Sequence, residues 1–207
     1  MDINLFVLDF ETTGLNPYLD HVIEVAIKKV TANDYYQTLI KPPLLPPGLP
    51  KYIPPHIVNI THITDKMIED ESIEPSIAIF NMIKYIKNHS NRGPIYIISH
   101  NGTTFDYIIL KRLMKEYNVS ERIIKRLRYI DTLLFSKMFI KVKNYRQKDL
   151  CKRYNITNDS EHRALGDINA LEGIYIELCN EYTEKEGKEE RYYIENPDEI
   201  IEKLLIE

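Results

Sequence analysis

The stretch Asp9-Phe10-Glu11-Thr12-Thr13-Gly14-Leu15 follows the largely apolar run Ile3–Leu8. Four consecutive apolar residues, Leu5-Phe6-Val7-Leu8, mark a strand buried on both faces, as central strands of a helix-flanked sheet are. Side chains alternate along a strand, so Asp9 and Glu11 project from one face where the strand leaves the core. Two carboxylates held together there repel each other and lose hydration, and a cation resolves both costs. Donors that are all oxygen suit a hard divalent ion, Mg²⁺ or Mn²⁺, and the lack of a Cys/His cluster argues against Zn²⁺.

Outward from this strand, Val22–Val30 and Tyr35–Ile40 read as the second and third strands. The turn signals Gly14-Leu15-Asn16-Pro17 and Ala32-Asn33-Asp34 separate the three, which predicts an antiparallel meander. Pro42–Pro55 holds seven prolines in fourteen positions and reads as an ordered or semi-rigid loop. Apolar residues at helical spacing cover Ser76–Lys87, and Gly93-Pro94 then breaks the chain before a short buried strand, Ile95–Ile98. Thr104–Tyr117 reads as a helix and Arg128–Ile130 as a fifth strand, with another helix opening near Asp131 or Thr132. Gln147–Tyr154 and Arg163–Tyr182 follow as helices, Thr183–Arg191 as a charged loop and Pro197–Ile206 as a terminal amphipathic helix. A meander followed by alternating strands and helices predicts an α/β fold with a mixed five-stranded sheet flanked by helices. Residues 1–182 are expected to form one domain, and 183–207 a charged C-terminal extension packed as a helix.

The 207 residues are enough for one domain with a substantial core. No apolar stretch approaches membrane-spanning length and Met1–Asn4 lacks a basic leader, so neither a membrane nor secretion is expected. Cys151 and Cys179 stand alone, which fits a reducing compartment: cytoplasm, nucleoid, nucleus or viral factory. The net charge of −4 conceals an asymmetry. Between Lys111 and Arg153 fourteen Lys/Arg face four acids, a balance of +10, whereas Glu177–Glu207 carries −7. A basic middle in an acidic chain predicts a face that meets a polyanion. Solvated helix faces explain charge alone equally well.

Two further acids belong with the first pair. In Ser99-His100-Asn101-Gly102-Thr103-Thr104-Phe105-Asp106 a buried strand empties into a small polar turn, and Asp106 opens the next helix. An acid in a first helical turn ordinarily complements the macrodipole; the preceding core strand raises the weight of a site role, and both readings stay open on the residues alone. In His162-Arg163-Ala164-Leu165-Gly166-Asp167, Asp167 lies inside a helical pattern whose Ala164, Gly166 and Ala170 keep the surface narrow. His162 stands at or before the helix start, and an imidazole close to an acid is a candidate general base. Four carboxylates from three segments in one cleft oppose folding unless cations neutralise them. Two divalent ions ~3.5–4 Å apart would do so and would clamp an in-line phosphodiester displacement.

Asp9-Phe10-Glu11-Thr12-Thr13-Gly14, Asn101-x3-Phe105-Asp106 and His162-x4-Asp167 resemble, in order and spacing, the three exonuclease motifs of the DEDDh family. This DnaQ-like superfamily includes the polymerase III proofreading ε subunit, ribonuclease T and oligoribonuclease. Thr61-His62-Ile63-Thr64-Asp65-Lys66-Met67 is similar to the family's T-G-I-T-x-x-M segment, with His62 in place of its glycine. Tyr129-Ile130-Asp131-Thr132-Leu133 resembles its D-T stretch. The resemblance covers roughly Ile3–Tyr182 and implies a ribonuclease H-like fold. It implies a 3′–5′ exonuclease that releases nucleoside 5′-monophosphates from single-stranded or frayed DNA or RNA ends, alone or beside a polymerase or replication complex. It further implies that Asp9, Glu11, Asp106 and Asp167 hold two Mg²⁺ or Mn²⁺ ions and that His162 is the general base. Thr12, through its backbone N–H, and Leu15, as an apolar wedge, would grip the 3′ end, with Asn101 and Phe105 lining the same pocket. Plain core packing is an equal reading for Phe105. Lys141, Lys143, Arg146, Lys148, Lys152 and Arg153, with Tyr145 and Tyr154 interleaved, could hold phosphates and stack bases upstream. The rival reading is a non-catalytic nucleic-acid or polymerase-binding module; it predicts a missing carboxylate or His162, and all five residues are present.

Overall fold

The computed structural model describes residues 3–158 and 163–206. Its five-stranded sheet has the order β3-β2-β1-β4-β5. Strands β1 (Asn4–Thr12), β2 (Val22–Lys29) and β3 (Tyr36–Leu39) form the expected meander, while β4 (Ile95–Ser99) and β5 (Leu127–Asp131) join β1 in parallel. Strand β1 is therefore central, which is why Leu5–Leu8 carries no polar face: both sides are covered.

Alternation divides the core in two. Leu5 and Val7 face a cluster built with the long helix α8 (Ala164–Lys185), where Ile168, Leu171, Ile174 and Leu178 repeat at helical spacing. Phe6, Leu8 and Phe10 face the opposite cluster, made with α3 (Pro75–Asn88) and α4 (Asp106–Glu116). By parity Asp9 and Glu11 continue the Leu5–Val7 face and point toward α8. Burial of each such aliphatic side chain contributes roughly 1.5–3 kcal/mol.

A smaller cluster lies under the proline-rich segment. Helices α1 (Pro55–Thr61) and α2 (Asp65–Glu71), which no apolar period announced, pack Ile57 and Ile68, with Ile63 from the link between them, against Ile23 and Leu39. The loop itself is ordered: the Asp65 carboxylate accepts from the N–H groups of Lys51, Tyr52 and Ile53 at 2.7, 3.1 and 2.9 Å. His62 ends α1 in the left-handed conformation, φ 58°, its N–H donating to the Val58 carbonyl at 2.8 Å. That conformation accounts for a glycine at this place in the family, and an L-residue there is strained. His62→Gly is expected to stabilise the fold by up to about 1 kcal/mol, read as a higher denaturant midpoint at unchanged slope.

Downstream, α5 (Glu121–Ile124) is one short turn before β5, and α6 (Thr132–Phe139) and α7 (Gln147–Tyr154) follow it. Helix α8 runs on to Lys185, so the loop expected over 183–191 begins only at Glu186, and residue 182 falls inside the helix. Beyond it, α9 (Tyr192–Glu195) and α10 (Pro197–Ile206) place Tyr193, Ile194 and Ile200 in the α8 core cluster, with the Tyr182 and Tyr193 rings 4.7 Å apart. Among the described residues no helix is long and apolar enough to cross a membrane.

Candidate active site

Three elements converge at the end of β1. Carboxylate oxygens of Asp9, Glu11 and Asp167 all lie within 4.8 Å of one another. Asp106, at the first position of α4, lines the same cleft of about 440 Å³, and its charge acts on Asp9 more strongly than that of any other acid. The cleft also presents Leu15, His100, Asn101, Phe105, Arg146, Gln147, Lys148 and Asn158. Of the predicted residues, Asp9, Glu11, Asp106, Asp167, Leu15, Asn101 and Phe105 therefore meet in one place. Thr12 does not line the cleft; its side chain is buried and its hydroxyl donates to the Gly14 carbonyl at 2.5 Å, closing the turn that presents Leu15. His162 lies outside the described residues.

The acids are held at a cost. Burial, and then the charges of Asp106, Glu11 and Asp167, push the Asp9 carboxyl well above its ordinary value. Burial followed by Asp167, Glu24 and Asp106 raises Glu11 to about 8, opposed by Arg163. Burial raises Asp106 to about 7, although the backbone N–H groups of Asp106 and Phe10 oppose it. Asp106 Oδ1 is buried and meets no hydrogen-bond donor among the described residues. Crowded, buried carboxylates facing each other, one with an orphaned oxygen, are a donor set that a hard divalent cation fits. Among the described residues, Asp9, Glu11 and Asp167 are grouped closely enough to share one, with Asp106 lining the same cleft.

Other residues, given no site role by the sequence, set the geometry. Glu24 on β2 pairs across the strands with Glu11 and is fully buried. Its carboxylate accepts from Arg163 Nη2 at 2.8 Å, from Gln37 at 2.7 Å and from the Ala164 N–H at 3.0 Å. It thus caps α8 from the sheet and fixes Asp167 one turn further on. An acid inside the buried run Val22-Ile23-Glu24-Val25 was the available signal. Asp131, of the Asp-Thr pair, accepts from the N–H groups of Asn101 and Thr103 at 3.0 and 2.9 Å and caps α6 through Leu133. It thereby holds Asn101 at φ 61° in the turn before Asp106. His100 meets the Thr132 hydroxyl at 3.0 Å through Nδ1 and the Tyr145 backbone on its other side, and burial lowers its pKa. It ties the basic segment to the sheet.

The turn after β4 needs its glycine. A Cβ at Gly102 would stand 2.7 Å from the Tyr107 ring and 2.8 Å from the Ser99 Cβ, both buried. Gly102→Ala is expected to cost about 1–2 kcal/mol by overpacking, measurable as a melting point lower by several degrees.

The exonuclease family model (RNase T) matches residues 6–175. The chain belongs to the DEDD-type 3′–5′ exonuclease family. This chain is 30% identical over 200 residues to the PolC-type DNA polymerase III of Thermotoga petrophila, a match spanning 95% of the chain and 13% of that polymerase. It is 27% identical over 183 residues to the PolC-type enzyme of Bacillus subtilis, covering 86% of the chain and 12% of the relative. The chain thus spans about an eighth of the length of these relatives. Among solved structures, Escherichia coli exonuclease I in complex with a dT13 oligonucleotide superposes with a TM-score of 0.68 at 16% identity, over 87% of this chain and 42% of that one. Exonuclease X in complex with 5′ overhanging duplex DNA gives 0.59 at 20% identity, over 86% and 92%. These likenesses establish the ribonuclease H-like fold of the exonuclease domain.

Proposed function

We propose that this chain is a divalent-metal-dependent 3′–5′ exonuclease that removes nucleoside 5′-monophosphates from single-stranded or frayed 3′ ends. The observation that carries this reading is the convergence of the Asp9, Glu11 and Asp167 carboxylates, with Asp106 beside them, at the floor of an open cleft. When bound, two Mg²⁺ or Mn²⁺ ions would supply charge stabilisation for an in-line displacement at phosphorus. The chain's own residues do the rest. Leu15, highly exposed at the rim, and Phe105 receive the terminal base, while Arg146 and Lys148 meet the phosphates behind it. Thr12 holds the Leu15 turn, Asn101 borders the sugar, and His162 accepts the proton of the attacking water.

The PolC-type relatives are DNA polymerases and the exonuclease I structures hold deoxyoligonucleotides, which favours DNA as substrate and proofreading beside a polymerase in a cytosolic setting. Incubation of matched 5′-labelled DNA and RNA strands with Mg²⁺ tests this. A ladder shortened one nucleotide at a time, stronger on DNA and absent in EDTA, is expected; discrete internal cuts or an unchanged band overturn the reading, and a stronger RNA ladder overturns only the substrate. Affinity for a labelled single strand should also fall with salt. If about three phosphates are neutralised, the loss between 50 and 200 mM is about 20-fold. A flat response would remove the basic segment from the track.

A further inference from the structure

Among the described residues, two neutral amides from outside its own helix hold Asp167, one at its carboxylate and one chiefly at its main-chain carbonyl. Asn158 Nδ2 donates to Oδ1 at 2.8 Å. Gln147 Nε2 donates to the Asp167 carbonyl at 2.8 Å and lies 3.4 Å from Oδ1. Gln147 opens α7, between Arg146 and Lys148, and all three line the cleft. An amide N–H orients a carboxylate without cancelling its charge, whereas a lysine or arginine at the same place would compete with a cation. Partners of this kind set ligand orientation, and their loss costs metal affinity more than it costs fold.

We infer that Gln147 and Asn158 are positioning residues that aim Asp167 for divalent-cation binding. Through Gln147 they also couple the phosphate-facing start of α7 to the metal-holding start of α8. The two cleft walls then keep one spacing, so that a strand gripped by Arg146 and Lys148 is presented to the acids in register. This inference rests on the nuclease reading of the cleft.

The test is calorimetric titration of the whole chain with Mn²⁺ alone, for the unaltered protein, Gln147→Met, Gln147→Leu and Asn158→Ala, with metal-free melting measured in parallel. The expected result is Mn²⁺ affinity about 10-fold weaker in each variant, with metal-free melting changed by less than about 2 °C. Turnover of Gln147→Met should recover as Mn²⁺ is raised, and single-strand affinity in EDTA should hold. Folded variants that bind Mn²⁺ within twofold of the unaltered chain overturn the inference. So does loss of fold in all three, because it would make the amides structural. An unaltered chain that takes up no Mn²⁺ overturns the nuclease reading itself, and this inference with it.

Discussion

Asp167→Asn is expected to stop the stepwise shortening of a 5′-labelled oligonucleotide while leaving the fold intact. Asp167 stands within 4.8 Å of Asp9 and Glu11 and adds to the repulsion both endure. Asparagine keeps its shape and its place in α8 but removes one negative charge from the donor set. A charge clamp on the transition state contributes several kcal/mol, so the rate should fall by on the order of 10³-fold or more. The matched expectation concerns stability. Without metal the variant should melt at least as high as the unaltered chain, because a repelling charge has gone. Retained activity removes Asp167 from the site, and a lower metal-free melting point shows that its role is structural.

The second large effect is on stability against pH. Folding raises the carboxyls of Asp9, Glu11 and Asp106, the last two to about 8 and about 7 from ordinary values near 4. The folded state therefore binds more protons than the unfolded chain between about pH 4 and 8, and stability falls as pH rises across that window. Their contribution is fully present below the unfolded values and lost as pH passes the folded ones. Every tenfold gain in proton affinity on folding corresponds to about 1.4 kcal/mol, but the acids share one site and their penalties do not add. A loss of about 3 kcal/mol between pH 5 and 8.5 in EDTA is expected, or a melting point lower by about 6–12 °C. Saturating Mg²⁺ should flatten the curve, since a bound cation takes over the role of the protons. A melting point independent of pH in EDTA would show that the acids are not crowded.

Much of the site was legible in the residues. The period-2 rule placed Asp9 and Glu11 on one face, and the buried run before them made β1 central. Asp106 and Asp167 were candidates from a small polar turn and a helical pattern, and the resemblance in motif order and spacing joined them to the first pair. The supporting contacts were hidden. Glu24 reads as one polar residue in an apolar strand until the register sets it against Glu11 and the end of α8. Gln147 and Asn158 are ordinary polar residues in sequence, 20 and 9 positions from the carboxylate they hold. The short helices α1, α2, α5 and α9 escaped because segments of four to seven residues carry too few turns to show a period. His62 was legible as a departure from a glycine, but its left-handed backbone was not.

Local chemistry by itself determined the strands, the longer helices, the first acidic pair and the sheet class, because alternation, helical spacing and like-charge repulsion act over a few residues. Only the tertiary structure decided which acids share a cation-sized gap, which basic residues reach the cleft and which neutral amides hold Asp167. Those facts depend on the register of β1 against β2 and on the packing of α7 and α8, where residues far apart in the chain come within hydrogen-bond reach.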